Sequence, residues 1–262
     1  MRRKISIIIQ ARLTSSRFPN KIINKVLGKP IILLLINRLK LCKEIHDLIV
    51  AIPKNQKNKS LEKLLKTNNV KVFKGPENNT LKRYYEAAKK NNSKIIIRIT
   101  SDCPLADPSM IDHHVRVFNK YKPDYLSNNL IRSFPHGYDL EIFSFNSLKK
   151  AFKNSKTKYE KEHVTPYIRK SASFKKINLQ FKKNFYFLRV TLDYKEDLKV
   201  IRNIFNYFKN KMFYLNDLIN LYKKNSKSFL PNNKIKIYEN LKNDQSREKW
   251  IDYKFRNIIY KN

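Results

Sequence analysis

Residues 4–21 read KISIIIQARLTSSRFPNK, and the junction inside this stretch decides the fold. The first seven, KISIIIQ, form an almost unbroken apolar run rich in β-branched Ile, as a strand buried on both faces requires. The next eleven, ARLTSSRFPNK, are polar and basic and contain no glycine. A buried strand that stops abruptly in a polar loop is the opening unit of an open α/β sheet. In such sheets ligands bind outside the carboxyl ends of the strands.

Reading outward, the same alternation recurs. Residues 31–42 carry apolar side chains on a helical period, 47–52 read as a second strand, and 60–68 as a helix capped by Ser60. Residues 70–73 give a third strand, Thr80 caps a helix over 81–90, and 94–99 give a fourth strand. Asp107 followed by Pro108 supplies an N-cap and a first-turn proline for a helix ending near residue 119. The second half is mixed. Residues 138–145 alternate like a half-exposed strand, 146–152 and 159–169 read as helices, and 174–179 and 186–191 as strands. Residues 195–209 and 215–223 are amphipathic helices, and the pattern weakens after about residue 224. The expected architecture is α/β: a mostly parallel central sheet, helices on both faces and a small mixed second-half subregion. One domain is expected over 1–210, with a helical extension and weakly ordered tail over 211–262.

Composition narrows the function. Of 262 residues only three are glycine (Gly28, Gly75 and Gly137), too few and too scattered for a G-x-G-x-x-G turn or a P-loop. The two cysteines, Cys42 and Cys103, exclude a disulfide scaffold and suit a reducing compartment. The longest apolar runs fall far short of the roughly 20 residues of a membrane span, so the cytoplasm is the expected location. The net charge of +36 invites a nucleic-acid reading. That excess is a lysine background spread along the chain, except over residues 101–150, where six basic and six acidic residues cancel. No basic stripe interleaved with aromatics stands out.

The segments after the strands carry the chemistry. Arg12, Arg17 and Lys21, with Ser15 and Ser16 between them, suit a polyphosphate, because guanidinium forks and ammonium groups neutralise charged oxygens. A solvated basic loop explains the same residues equally well. Asp102 follows the buried run IIIRI inside the charge-balanced window, and a carboxylate there suits Mg²⁺. Its alternative is a turn aspartate, although Asp107 fills the capping role better. Asp193 also follows a strand-like segment, where it would serve as a ligand or as a helix cap. Cys103 has no histidine partner in sequence to make it a nucleophile. His113 and His114 are adjacent on a helix and point apart, which argues against a two-histidine metal site and places both on the surface. Trp250 and the tail aromatics read as local packing.

At these residues the chain resembles a known family. ARLTSSRFPNK is similar to the A-R-x-x-S-x-R-x-P-x-K loop of the CTP-dependent cytidylyltransferases that activate acidic sugars, nearest the branch named for spore coat polysaccharide biosynthesis protein F. The similarity continues in order through FKGPENNTLKRYYEAA, RITSDCPLADP, DYLSNN, FPHGYDLEIFSFNSL, YEKEHVTPYI and LRVTLDYKEDLKVI, with a weaker echo in LPNNKIK. The resemblance implies a nucleotide-diphospho-sugar transferase-like fold. It also implies transfer of a cytidylyl group from CTP to a nonulosonic-type acidic sugar, giving a CMP-sugar and pyrophosphate for surface polysaccharide or glycoconjugate synthesis. Arg12, Ser15, Ser16, Arg17, Lys21 and Arg83 would bind nucleotide, with Lys21, Arg12 and Asp102 catalytic. Asp102 and Asp193 would hold Mg²⁺. Glu141, Glu162 and His163 would fall on the sugar side, and Arg132, Arg189 or His163 would meet the sugar carboxylate; His136, in a turn before Gly137, would touch the substrate or serve loop geometry alone. The implied partners are CTP, the acidic sugar and, through second-half strands, a second copy of the chain; membrane and nucleic acid are not expected. Thr14 and Asn20 stand where many members have glycine, and Asn79, Thr80 and Lys82 also depart from the usual pattern. Two rival readings are a glycosyltransferase on a similar scaffold, which commonly uses a D-x-D pair absent here, and a basic nucleic-acid-binding protein.

Overall fold

The Ile run at the start of the chain is buried on both sides. Ile5, Ile7 and Ile9 enter one hydrophobic cluster and Ile8 the other. In the computed structural model, which describes residues 3–209, 211–235 and 255–260, this run is strand β1 (Ile5–Gln10). It is followed by a short hairpin of β2 (Lys25–Val26) and β3 (Lys29–Pro30), then α1 (Ile31–Leu39), β4 (Asp47–Pro53), α2 (Lys59–Thr67), β5 (Lys71–Gly75), α3 (Thr80–Lys90), β6 (Ile95–Thr100) and α4 (Pro108–Tyr121). The second half contributes β7 (Tyr125–Ser127), β8 (Glu141–Ser144), α5 (Phe145–Asn154), α6 (Lys158–His163), α7 (Pro166–Lys170) and β9 (Lys176–Phe181). Helices α8 (Lys195–Tyr207) and α9 (Leu215–Lys224) and strand β10 (Arg256–Tyr260) complete the described elements.

The main sheet runs β10-β9-β7-β8-β6-β1-β4-β5, and among these strands only β8 runs against the rest. Helices α1, α2, α4, α8 and α9 cover one face and α3, α5 and α7 the other, as the continuous apolar strands demand. Strand β1 pairs with β4 on one side and β6 on the other, so the chain order reverses at its carboxyl end. That reversal opens the crevice where an α/β sheet binds ligands.

The Asp107 cap forms as expected, and several other local expectations change. Asp107 caps α4 through Ser109 N at 2.8 Å, and its other oxygen accepts from Leu215 N at 2.7 Å, which ties α4 to α9. Helix α3 is capped by Asn79, which accepts from Lys82 N at 2.8 Å, while the Thr80 hydroxyl accepts from Arg83. Helix α2 begins at Lys59 after a turn capped by Asn55, so Ser60 lies inside it. Residues 159–169 split into α6 and α7 at Val164, whose φ of 73° breaks the helix just before Pro166. Residues 188–191 are buried yet irregular: Leu188, Val190 and the following Leu192 donate to Phe185, His136 and Asp102 rather than to a ladder. Phe213, Leu215, Leu218 and Phe229 join the same cluster as β1. The tail expectation for residues 236–254, including Trp250, lies outside the described residues. Among those described, no helix is long and apolar enough to cross a membrane.

Candidate active site

The loop after β1 is fixed by neighbouring strands before any ligand arrives. Ala11 N donates to Ala51 O at 3.2 Å, Leu13 N to Asn58 Oδ1 at 2.9 Å, and Asn20 N back to Leu13 O at 3.0 Å. Asn20 takes φ 57°, the left-handed conformation that asparagine tolerates. Lys21 then enters a 3-10 turn (Lys21–Ile23) with only 8% of its surface exposed.

Lys21 Nζ donates to Asp193 Oδ1 at 2.9 Å and to Asp102 Oδ2 at 3.2 Å, so one ammonium joins the loop after β6 to the end of the irregular segment before α8. Burial alone would lower the lysine's pKa, but the two carboxylates outweigh it and hold the group above its ordinary value. Burial would likewise raise Asp193; Lys21, Arg17 and Arg189 reverse that and bring it down to about 2. Arg17 reaches Asp193 Oδ1 at 2.9 Å, and the Thr100 hydroxyl donates to Asp102 Oδ1. Around this pair opens a cleft of about 400 Å³ lined by Arg12, Ser15, Ser16, Arg17, Lys21, Arg83, Asp102, Glu162, His163 and Asp193. These ten expected residues, scattered over the chain, therefore meet in one place. Arg12 faces Glu162 across the cleft at 3.8 Å.

Glu141 and His136 do not line the cleft. Glu141 lies opposite Arg98 in the β6–β8 pairing and is 2% exposed. It accepts from Arg98, from Tyr125 Oη at 2.6 Å and from Thr165 Oγ1 at 2.6 Å; these partners overcome burial and hold its carboxyl at about 2. A carboxylate so saturated has little left for a sugar. His136 exchanges backbone bonds with the irregular segment, donating to Leu188 O and accepting from Val190 N, each at 2.8 Å, and burial lowers its pKa. Gly137 beside it has φ 118°, and a Cβ there would stand 2.6 Å from Thr191 N. The His136–Gly137 corner thus shapes the segment that delivers Asp193. Arg132 pairs with Asp139 at 2.9 Å, away from the cleft lining.

Asp193 is anchored by Asp197 and Asn232, to which the motifs assigned no role, and by Arg189, expected instead at the sugar carboxylate. Asp197 Oδ2 accepts from Asp193 N at 2.8 Å and Tyr194 N at 2.9 Å, and Arg189 clamps both oxygens of Asp197 at 2.8 and 2.9 Å. Asn232 closes the set, donating to Asp197 Oδ1 at 2.8 Å and Arg189 O at 3.0 Å. Gln10, Thr80, Arg98, Thr100 and Ser101 also line the cleft unannounced. The available signal was the single arginine inside IIIRI, since a buried strand carries a charge only with a partner. Cys103 is buried and its thiol is pushed well up by burial and nearby carboxylates, so it is no nucleophile. His114 is fully buried, not on the surface, with Nδ1 2.7 Å from Met110 O.

The sequence profile of the cytidylyltransferase family matches residues 6–235, nearly the whole described chain. The chain belongs to the cytidylyltransferase family. It is therefore a nucleotidyltransferase with the nucleotide-diphospho-sugar transferase-like fold. This cytidylyltransferase is similar to an uncharacterized protein of Methanocaldococcus jannaschii, with 35% identity over 83% of this chain and 86% of that protein. It is 27% identical to the spore coat polysaccharide biosynthesis protein SpsF of Bacillus subtilis, over 77% of this chain and 86% of that one. The solved structure of a cytidylyltransferase from Leptospira borgpetersenii superimposes with a TM-score of 0.83 and 33% identity, covering 87% of this chain and 97% of that one. The matched span runs past residue 210 and includes Asn232.

Proposed function

We propose that this cytidylyltransferase moves CMP from CTP to a nonulosonic-type acidic sugar, releasing pyrophosphate, in the cytoplasm and for surface polysaccharide or glycoconjugate synthesis. The observation that carries the reading is the convergence of Arg12, Arg17 and Lys21 with Asp102 and Asp193 at one end of a cleft at the sheet's reversal point. Three cations suit the triphosphate. Two carboxylates that already converge on one cation, the Lys21 ammonium, have the donor chemistry Mg²⁺ prefers: one or two carboxylates completed by phosphate oxygens. Asp102 and Asp193 would hold the ion, and bound Mg²⁺ would polarise the phosphate oxygens and acidify the attacking hydroxyl.

The chain's own residues provide positioning and charge. Lys21, Arg12 and Arg17 neutralise the triphosphate, and the loop that carries them is held by Asn58 and the β4 backbone, so little reorganisation accompanies reaction. The sugar's anomeric hydroxyl attacks the α-phosphorus in line as pyrophosphate departs. The acid-sugar acceptor is supported by the cation-rich lining and by the motif resemblance at Asp102 and Asp193.

The test is pyrophosphate release from CTP with Mg²⁺ and a panel of sugar acids. CTP is expected to be strongly preferred over UTP, ATP and GTP, and equal use of UTP would sink the cytidylyl assignment. Asp102→Asn should abolish turnover and leave the unfolding midpoint close to wild type. Retained turnover would remove Asp102 from this role.

A further inference from the structure

If the acceptor is a 2-keto sugar acid, its carboxylate sits on the same carbon as the attacking hydroxyl. The group that holds it must then lie beside Asp102 and Lys21, where the reaction takes place. Neither Arg132 nor Arg189 meets that condition: Arg132 is committed to Asp139, and Arg189 to Asp197 on the far side of Asp193. Among the cations of the cleft, Arg17 and Lys21 are engaged with Asp193 and Arg12 faces Glu162, while His163, on α6, packs its ring against Tyr159 with centroids 4.4 Å apart. Arg83 turns its guanidinium to the carbonyls of Pro76 and Glu77.

That leaves Arg98. It stands on β6 two residues before Thr100, on the same face of the strand, and Thr100 bonds Asp102. Gln10 pairs directly with Thr100 across β1 and β6. Arg98 Nε donates to Gln10 Oε1 at 3.2 Å and its Nη1 to Glu141, which leaves Nη2 as the end with no partner among the described residues. Its side chain is 14% exposed, and it lines the cleft. Because arginine only donates, Gln10 must turn its carbonyl to Arg98 and keep its amide N–H groups for something else. The cleft floor next to Asp102 therefore presents a guanidinium and an amide, both fixed, both with donors to spare.

We propose that Arg98 and Gln10 bind the carboxylate of the acceptor sugar and so select acidic acceptors; this rests on the acid-sugar reading above. Glu141 orients the guanidinium from behind and shares its own charge with Tyr125 and Thr165, so Arg98 stays a charge-assisted donor toward the substrate. A neutral sugar would leave these donors facing nothing, and that unpaired state is what rejects it.

The test uses Gln10→Leu and Arg98→Lys, with the double variant Arg98→Met/Glu141→Gln as a charge-balanced control in case loss of the guanidinium fork unfolds the protein. Acceptor KM, kcat and calorimetric CTP affinity are measured on variants whose melting curves show folded protein. Each should raise acceptor KM about 10- to 100-fold, the worth of a lost charge-assisted hydrogen bond, while CTP affinity stays within about twofold. Wild type should refuse the methyl ester of its acceptor, and the variants should discriminate less between acid and ester. Unchanged acceptor KM in folded variants overturns the proposal. So does a parallel loss of CTP affinity, which would assign the donors to the cytosine edge. If wild type itself turns over neutral sugars and no sugar acid, the acid-sugar reading fails before any variant is measured.

Discussion

Replacing Lys21 with methionine removes the one ammonium that Asp102 and Asp193 share. Both carboxylates touch the same Nζ, at 3.2 and 2.9 Å, so their facing oxygens are no more than about 6 Å apart. Without the lysine, two like charges at that separation repel by about 3 kcal/mol at the effective dielectric of a partly buried site. Asp102 keeps 29% of its side chain exposed, and Asp193 retains Arg17 and Arg189, which trims the cost to about 2–3 kcal/mol. For a chain of this size that corresponds to a fall of roughly 5–10 °C in Tm. The assay is thermal unfolding near neutral pH, in chelator and in millimolar Mg²⁺. The Lys21→Met variant should melt lower in chelator and recover more than wild type when Mg²⁺ is added, because its carboxylates no longer have a resident cation to displace. A variant as stable as wild type in chelator, or one that Mg²⁺ does not preferentially rescue, refutes the reasoning.

Gly137→Ala forces a Cβ against Thr191 N at 2.6 Å from a φ of 118° and should cost about 2–3 kcal/mol in chemical denaturation; an unchanged midpoint would show that the corner can relax. Asn232→Ala removes the donor shared by Asp197 and the Arg189 carbonyl and should cost about 1–3 kcal/mol together with a loss of turnover; full activity would mean that Asp193 is held without it. Asp193 and Glu141 both have carboxyls lowered to about 2, so their stabilisation is complete above the unfolded carboxylate range and is lost as pH falls through the folded values. The unfolding midpoint should therefore drop between about pH 4 and 2, and a flat acid limb would contradict these ion pairs.

Much of the frame was legible because it rests on local pattern. The runs at β1, β4 and β6 are dominated by buried aliphatic residues and read as central strands. The cleft was legible through motifs, since the sheet's topology guarantees that segments after β1 and β6 meet. What escaped depends on distant partners. Strand β7 is three residues long, too short for any period to register. Residues 186–191 read as a strand from their aromatic and β-branched content, yet the backbone hydrogen bonds of Leu188 and Val190 go to Phe185 and His136, which no local pattern encodes. Glu141 has the chemistry of a substrate residue, and only its register opposite Arg98 shows that it is spent inside the sheet. Asn232 was invisible as an anchor because its partner, Asp197, lies 35 positions away.

Strand β10 closes one margin of the sheet. It lies parallel to β9, with Arg256 opposite Ile177 and Tyr260 opposite Phe181, and so occupies the outer row of amides and carbonyls that β9 would otherwise present to solvent. At the opposite margin, β5 carries Lys71 and Lys74, charges that discourage a second chain from adding on. β9 has no such protection along Ile177–Leu179, where Ile177 and Leu179 are apolar and buried. A version of the protein cut before residue 255 should keep its cleft and yet self-associate, strand against strand, through the row that β10 now fills.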